Sequence, residues 1–460
     1  MNVRFPGDET KLSYLWPSLD VTLLFGAFAL VGARRGSTPS WLRPLLVGLF
    51  CLVRLVRFGD GVRQNYFHRP FNAYLDLPLA PELVRLLWST SRHSVFWLGL
   101  VACVGAAVAF VFAVAWGLRE GEGFLRDARG RTIFLGVVLA LVVLTPFGPR
   151  AHGDEEFVGA FAGSVGPRFA REVDFLLHVS GYRSEKLAEV RAAAERTRNA
   201  DASLERLKSA SVLVFLVESY GATVFDPKLA SPETDEALAR FEQSLRRDGY
   251  SLATGLLDSP VYGGSSWLAQ ATLATAVQTA DEFQFSLLKA EEPPTIADAF
   301  RRAGYRTVLV QPGTTRAFPE RDFLHFEARY AAFDLGYRGP NFGWAPMPDQ
   351  FVLDVIHRRE LTAPARPVLI EYALVSSHAP WSDQPAVVEW DTLGDGAIFQ
   401  TVPRVRFDTR LVGSAVREAY LASIRYDFEV LSQYLTERLS SSPLVFVIGD
   451  HQPIPNATGH

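Results

Sequence analysis

The first third of the chain is patterned unlike the rest. Residues 95–118, VFWLGLVACVGAAVAFVFAVAWGL, run without a charge. A helix rising about 1.5 Å per residue crosses a hydrocarbon layer of about 30 Å with such a run. Residues 132–147 form a shorter, dense apolar run, and residues 13–33 a third with Asp20 near one end. Residues 41–58 form a weaker fourth, interrupted by Arg54. A charge in mid-bilayer is expensive unless its side chain reaches the interface, so a buried soluble helix is the alternative there. The pattern predicts an N-terminal α-helical transmembrane domain over residues 1–150, with about four helices. The segment 66–88 is apolar but broken by Pro70, Pro78 and Pro81, and reads as interfacial or re-entrant. If it spans, the helices number five and the N-terminus changes side.

Arginine sets the orientation. The short loop 34–43 carries Arg34, Arg35 and Arg43, and the loop 119–131 carries Arg119, Arg126, Arg129 and Arg131. The longer stretch 57–93 carries its arginines more sparsely. Positive density marks the short loops as cytoplasmic and leaves everything after Arg150 on the periplasmic or extracytoplasmic side. The first apolar run ends in Ala33-Arg34-Arg35, without a small-residue cleavage site.

After the last apolar run the period changes. Residues 184–210, rich in Ala, Glu, Lys and Arg, read as a solvated helix within a juxtamembrane connector over 151–210. Residues 212–218, VLVFLVE, read as a continuous apolar run, as in a strand buried on both faces. Residues 295–313 read as helix, Gly stop and strand. Residues 366–381 read as a strand entering a polar loop, 414–439 as a long amphipathic helix, and 443–453 as another buried strand. Strands alternating with helices predict an α/β domain over 211–460 with a largely parallel central sheet. Ligands gather at the carboxyl ends of such strands, here after Val217, Val375 and Ile448.

Composition narrows the functions. Hydrophobic residues are 48% of the 460 and charged residues 21%, with net charge -4. Without a basic bias, nucleic acid is not the expected partner. The two cysteines, Cys51 and Cys103, lie in the apolar first third, which excludes a disulfide framework and a Cys-rich zinc module.

The three strand ends carry the reactive residue types. The first ends in Glu218-Ser219, a carboxylate able to hold a divalent cation, though a solvated residue or cap is the plain alternative. The last ends in Gly449-Asp450-His451, where mixed oxygen and nitrogen donors suit manganese or zinc better than magnesium or calcium. Between them, residues 261–276 read VYGGSSWLAQATLATA. A serine opening this helix meets unpaired amides and the positive dipole end, which favour an alkoxide and phosphate oxygens. Serine is equally an ordinary N-cap. His378, in Ser377-His378-Ala379-Pro380-Trp381, can bond a phosphoryl oxygen or protonate a leaving group, or be a surface residue. In residues 340–350, PNFGWAPMPDQ, Trp344 is a candidate cleft-lining side chain, or part of a packed loop.

The order V-E-S, G-G-S-S-W-L-A, S-H-A-P and G-D-H-Q-P behind membrane spans resembles the alkaline phosphatase superfamily. More narrowly it is similar to the membrane-anchored sulfatase-like branch of lipoteichoic acid synthases, phosphoglycerol transferases and phosphoethanolamine transferases. Position by position, the resemblance implies that Glu218, Asp450 and His451 are metal ligands and that His378 contacts the substrate headgroup. The family nucleophile is usually a threonine followed three positions later by Ala. Ser266 has Ala269 at that offset and Ser265 has Leu268, so Ser266 is the implied nucleophile and fourth metal ligand.

Departures from the family pattern sharpen this. There is no Cys-x-Pro-Ser-Arg signature, which disfavours plain sulfate-ester hydrolysis. The missing external cysteines point toward the lipoteichoic acid synthase side. The family continues after its Asp-His pair with at least one more strand and helix, whereas this sequence ends at His460, nine residues on; a shortened domain is expected, with His460 a candidate stand-in for a later family histidine. The implied activity moves a phospholipid headgroup (phosphoglycerol or phosphoethanolamine) through a covalent phospho-Ser266 to a glycan or polymer acceptor, with one divalent ion as cofactor. A hydrolase of the same fold and a catalytically silent binding module are the rivals.

Overall fold

The computed structural model describes residues 39–67, 71–81, 93–143, 165–199, 203–226, 231–315, 319–407 and 414–458, and positions 26, 84, 88, 157, 158, 161 and 162. The chain divides into two compact units, Met1–Gly181 and Tyr182–His460.

In the first unit, helix α1 covers Leu42–Phe67, α2 His93–Arg126 and α3 Ala128–Val143. Of the described residues, only α2 forms a helix long and apolar enough to cross a membrane: 34 residues, with a mean hydropathy of 2.6 over its most apolar window and none of that window buried. Of the expected four or so spans, one is thus found among the described residues. Helix α1 forms, but Arg54 and Arg57 break its apolar run. Helix α3 is 16 residues long as described. The run at 13–33 lies outside the described residues, apart from Gly26, and so does the end of the run at 132–147. The arginine-rich loop expected at 119–131 is mostly helical, because α2 continues to Arg126. There the buried Glu122 accepts hydrogen bonds from Arg43 Nε at 2.8 Å and Arg126 at 2.6 Å. Pairing of this kind is what a buried carboxylate needs. In the segment 66–88, Ala73–Asp76 form a short helical turn.

The boundary between the units falls within α4, Val165–Asn199. The polar stretch expected to be solvated is so on one side only. Val190 and Ala193, three residues apart on one helix face, are each 2% exposed in the core of the second unit.

The second unit is built on five parallel strands. They are β1 (Val212–Val217), β2 (Arg306–Gln311), β3 (Ala328–Ala331), β4 (Val368–Ala373) and β5 (Leu444–Gly449), in spatial order β3-β2-β4-β1-β5. Successive strand side chains point to opposite faces. Leu213, Phe215 and Val217 therefore join one core, with Val310, Ile370 and Tyr372. That core is covered by α9 (Asp349–Ile356) and α10 (Ser414–Gln433). Val212 and Val214 join the other, with Leu309 and Leu369, under α6 (Ser266–Thr275), α7 (Glu282–Glu291) and α8 (Ile296–Arg302). Helix α5 (Pro232–Arg247) packs on α10. All six residues of β1 are buried. At about 1.5–3 kcal/mol per fully buried large apolar side chain, this strand anchors both layers.

The register then aims the strand ends. Val217 pairs with Gly449 across the β1–β5 ladder, so the residues that follow emerge side by side. Gly449 is required here by close approach: a Cβ at this position would overlap the Tyr220 carbonyl. Gly449→Ala is therefore expected to cost on the order of 1–3 kcal/mol, as overpacked sites do. Thermal unfolding of the purified protein checks this, and a melting temperature equal to that of the wild type contradicts it.

Candidate metal centre

Glu218, Asp450 and His451 are 7%, 4% and 3% exposed, and one ligand atom from each lies within 4.8 Å of the others. Glu218 continues β1, while Asp450 and His451 continue the adjacent β5. The two ends are tied together. The Ser219 amide donates to Asp450 Oδ1 at 2.8 Å, and the His451 amide donates to the same oxygen at 2.7 Å. Ser219 reaches this position with φ +59, in the left-handed region that non-glycine residues rarely occupy.

The tautomer of His451 follows from its neighbour. Its Nδ1 lies 2.8 Å from the Gln452 carbonyl, which can only accept, so Nδ1 carries a proton and Nε2 faces the cluster. Nε2 is 3.1 Å from Glu218 Oε1 and 3.7 Å from Asp450 Oδ2. A second carbonyl of this layer, that of Glu218, accepts from Ser377 Oγ at 2.7 Å.

Ser266 completes the group. It is the first residue of α6, and its Oγ donates to Glu218 Oε2 at 2.7 Å and lies 3.2 Å from His451 Nε2. Ser265 precedes it as N-cap with φ +66 and no side-chain capping bond. Gly263 and Gly264 also have positive φ, 68 and 144. Three consecutive left-handed residues turn the chain so that Ser266, rather than Ser265, is bonded to the cluster.

Charge explains what the cluster lacks. Burial raises a carboxyl pKa and the charge of Glu218 adds to it, so Asp450 is raised to about 7. Burial works against charge on His451, but the carboxylates of Asp450 and Glu218 outweigh it and lift His451 to about 10. Burial would raise Glu218 too; the nearby positive charges of His451 and His378 prevail and hold it below the usual carboxylate range. An imidazolium proton thus balances two buried carboxylates. A divalent cation fits the same place: the four side chains offer carboxylate, imidazole and hydroxyl donors suited to manganese or zinc, and the buried negative charge calls for a counter-ion.

His378 stands beside this group, at the end of the loop after β4. Its Nδ1 donates to the Ala379 carbonyl at 2.5 Å, and burial lowers its pKa. Its ring stacks on Trp344, with centroids 3.8 Å apart and planes 17° apart. The Trp344 ring occupies space that Gly313 leaves open, since a Cβ there would come within 2.8 Å of it. His460 lies outside the described residues. Sequence reasoning missed Ser219 and Ser377, which support the ligands from the next position along each chain. It also missed Asp349, whose place at a helix start after Pro348 looks like an ordinary cap.

Metal and protons compete for these donors. His451 must release its proton, and Asp450 must be fully ionised, for both to ligate. With His451 near 10 and Asp450 near 7, apparent affinity rises with pH. Between pH 6 and pH 8 the expected gain in manganese affinity is on the order of a thousandfold, one proton being displaced from His451 throughout that window and a second from Asp450 as the pH passes its pKa. Isothermal titration calorimetry measures it, and a flat profile would sink the assignment of His451 as a ligand.

Residues 233–460 match the family model described as Sulfatase. A search of the curated proteins finds no match. Among solved structures, the chain is similar to the lipoteichoic acid synthase LtaP from Listeria monocytogenes, at 12% identity over 50% of this chain and 52% of that chain, with a TM-score of 0.33. It therefore spans about half the length of LtaP. The phosphoglycerol transferase GacH of Streptococcus pyogenes is similar at 16% identity over 59% of this chain and 71% of that chain, with a TM-score of 0.38. The periplasmic domain of EptC from Escherichia coli is similar at 15% identity over 49% of this chain and 57% of that chain, with a TM-score of 0.31. Strand β1, with Glu218 at its end, precedes the matched family segment yet pairs in register with β5 inside it. Over residues 233–460 the sequence is similar to the sulfatase family.

Proposed function

We propose that the protein is a membrane-bound, metal-dependent phosphotransferase. It takes the headgroup of a phospholipid, phosphoglycerol or phosphoethanolamine, and passes it through a covalent phospho-Ser266 to a glycan or cell-envelope polymer. The observation that carries this reading is the Ser266 hydroxyl, bonded to Glu218 and His451 at the amino end of α6. In this reading residues 1–150 are the membrane domain, 151–210 the connector and 211–460 the external catalytic domain. Helix α2 keeps the site near the headgroup layer, raising the effective concentration of a lipid substrate.

Glu218, Asp450, His451 and Ser266 hold one manganese or zinc ion. When bound, that ion supplies Lewis-acid polarisation of phosphoryl oxygens and lowers the pKa of a ligating hydroxyl. The residues do the rest. Glu218 Oε2 accepts the Ser266 proton, and the amides at the start of α6 favour the charge that develops on Oγ. The Oγ–P bond forms and the bond from phosphorus to the diacylglycerol oxygen breaks. His378 contacts the phosphoryl group, whose negative charge offsets the effect of burial and favours a proton on Nε2, and that proton goes to the departing oxygen. In the second half-reaction the acceptor hydroxyl gives its proton to His378 as its oxygen bonds phosphorus, the Oγ–P bond breaks, and Glu218 returns the proton to Ser266 Oγ.

Incubation with manganese and mixed phospholipids, followed by peptide mapping by mass spectrometry, is expected to find a headgroup adduct on Ser266. Ser266→Ala is expected to lose at least about a thousandfold in turnover, as loss of a nucleophile does. Ser265→Gly, which suits the left-handed backbone there, is expected to stay within about threefold. An adduct on Ser265, or full activity of Ser266→Ala, contradicts the assignment. Release of free headgroup with equal rate in the presence and absence of a glycan acceptor supports the hydrolase reading instead.

A further inference from the structure

Beyond its last ladder bond, from the Leu374 amide to the Leu216 carbonyl, the chain after β4 still carries buried backbone amides. Val375 and Ser376 are 5% and 8% exposed. A buried N–H without an acceptor is costly. Both find theirs in one side chain. Asp349, fully buried at the start of α9, accepts from Val375 N at 3.0 Å through Oδ1 and at 2.9 Å through Oδ2. Its Oδ2 also accepts from Ser376 N at 2.7 Å. The bond is returned, since the Asp349 amide donates to Ser376 Oγ at 3.0 Å. The next residue, Ser377, bonds the Glu218 carbonyl through Oγ, and its own carbonyl accepts from Trp381 Nε1 at 2.6 Å. His378 follows directly, so the loop that bears it is gripped on one side by Asp349 and on the other by the chain of a metal ligand.

We propose that Asp349 is a positioning residue for His378, fixing the imidazole against the phosphoryl substrate through the backbone of residues 375–377. The inference rests on the reading that His378 contacts substrate. A side chain that only filled space would not need to accept from two consecutive amides and receive a hydroxyl on its own amide. The same helix start closes the segment that carries Trp344, which stacks on the His378 ring. Asp349 therefore sets both the backbone and the stacking partner of that ring. Beneath it lies Asp427 of α10, fully buried. Burial and the charge of Asp349 push Asp427 well above the carboxylate range, while burial raises Asp349 only to about 6, so of the two Asp349 is the one that holds negative charge for the amides.

The test is a double-mutant cycle with the full-length protein in detergent, manganese, and bis(p-nitrophenyl) phosphate as the probe. Asp349→Asn is expected to lose at least about tenfold in kcat/KM, as small displacements of a positioned group do. Added to His378→Ala, it is expected to cost less than about twofold more, because the two act through one element. Manganese affinity is expected to stay within about threefold of wild type, because none of the metal ligands bonds Asp349. Losses that multiply in the double variant, or a parallel fall in manganese affinity, would falsify the positioning role. If Asp349→Asn loses the helical circular dichroism of the wild type, Ser376→Ala takes its place in the cycle, with an expected loss of about threefold alone and none on top of His378→Ala. A wild-type protein that binds manganese but does not cleave the probe overturns the transferase reading and this inference together. Multiplying losses in an active protein overturn this inference alone.

Discussion

Two carboxylates buried side by side must be paid for, and the arrangement of the second unit follows from how. Glu218 and Asp450 stand at neighbouring strand ends because Val217 and Gly449 are ladder partners. At such depth their charges repel, and neither has water to screen it. The His451 imidazole and the Ser266 hydroxyl are the partners the fold supplies. Together they form a set of donors that is short of positive charge, which is the condition for holding a divalent ion tightly.

Holding that set together costs backbone strain. Ser219 and Ser265 both adopt left-handed conformations, which for a non-glycine residue costs about 1–2 kcal/mol each. Both lie next to a residue of the cluster. The Ser219 turn presents its amide to Asp450, and the Ser265 turn starts α6 at Ser266. Strain at these two points is compensated by the β1–β5 ladder and by the cores on either side of the sheet. Gly449 belongs to the same economy of space, since the Tyr220 carbonyl occupies the room a side chain would need.

Much of this is legible in the sequence, and what is not has physical reasons. Four strands announce themselves as continuous apolar runs; β1, β2 and β4 are buried on both faces, whereas β5, expected to be buried, lies at an edge of the sheet with Leu444 and Phe446 exposed. The exception is β3, Ala-Arg-Tyr-Ala, an edge strand with half-exposed positions and no apolar run to read. The four site motifs are legible as residue types at strand ends, but their convergence depends on strand order, which periodicity does not encode. Resemblance to a family supplied that step, and the register of β1 with β5 accounts for it. Among the described residues α2 alone is long and apolar enough to span, and α1 is not, because Arg54 and Arg57 interrupt its interior. Polar residues at 184–210 hid a buried face, because Val190 and Ala193 are few among many charges.

Asp349 is the instructive case of a residue that sequence reading passes over. An aspartate after proline at a helix start has a sufficient local explanation, and local explanations end inquiry. Its actual partners are 26 and 27 residues away, on the one central strand whose end must turn toward the metal cluster. A strand end in the middle of a parallel sheet has lost its ladder partners but not its burial. Some side chain must then take over the role of the neighbouring strand. In this fold an anionic acceptor on the adjacent helix does so, which ties the histidine loop to a rigid element on one side. Ser377 ties it to β1 on the other. The substrate-facing loop is thereby held by the same sheet that carries the metal ligands, and the distance between the two is set by the core rather than by the loop.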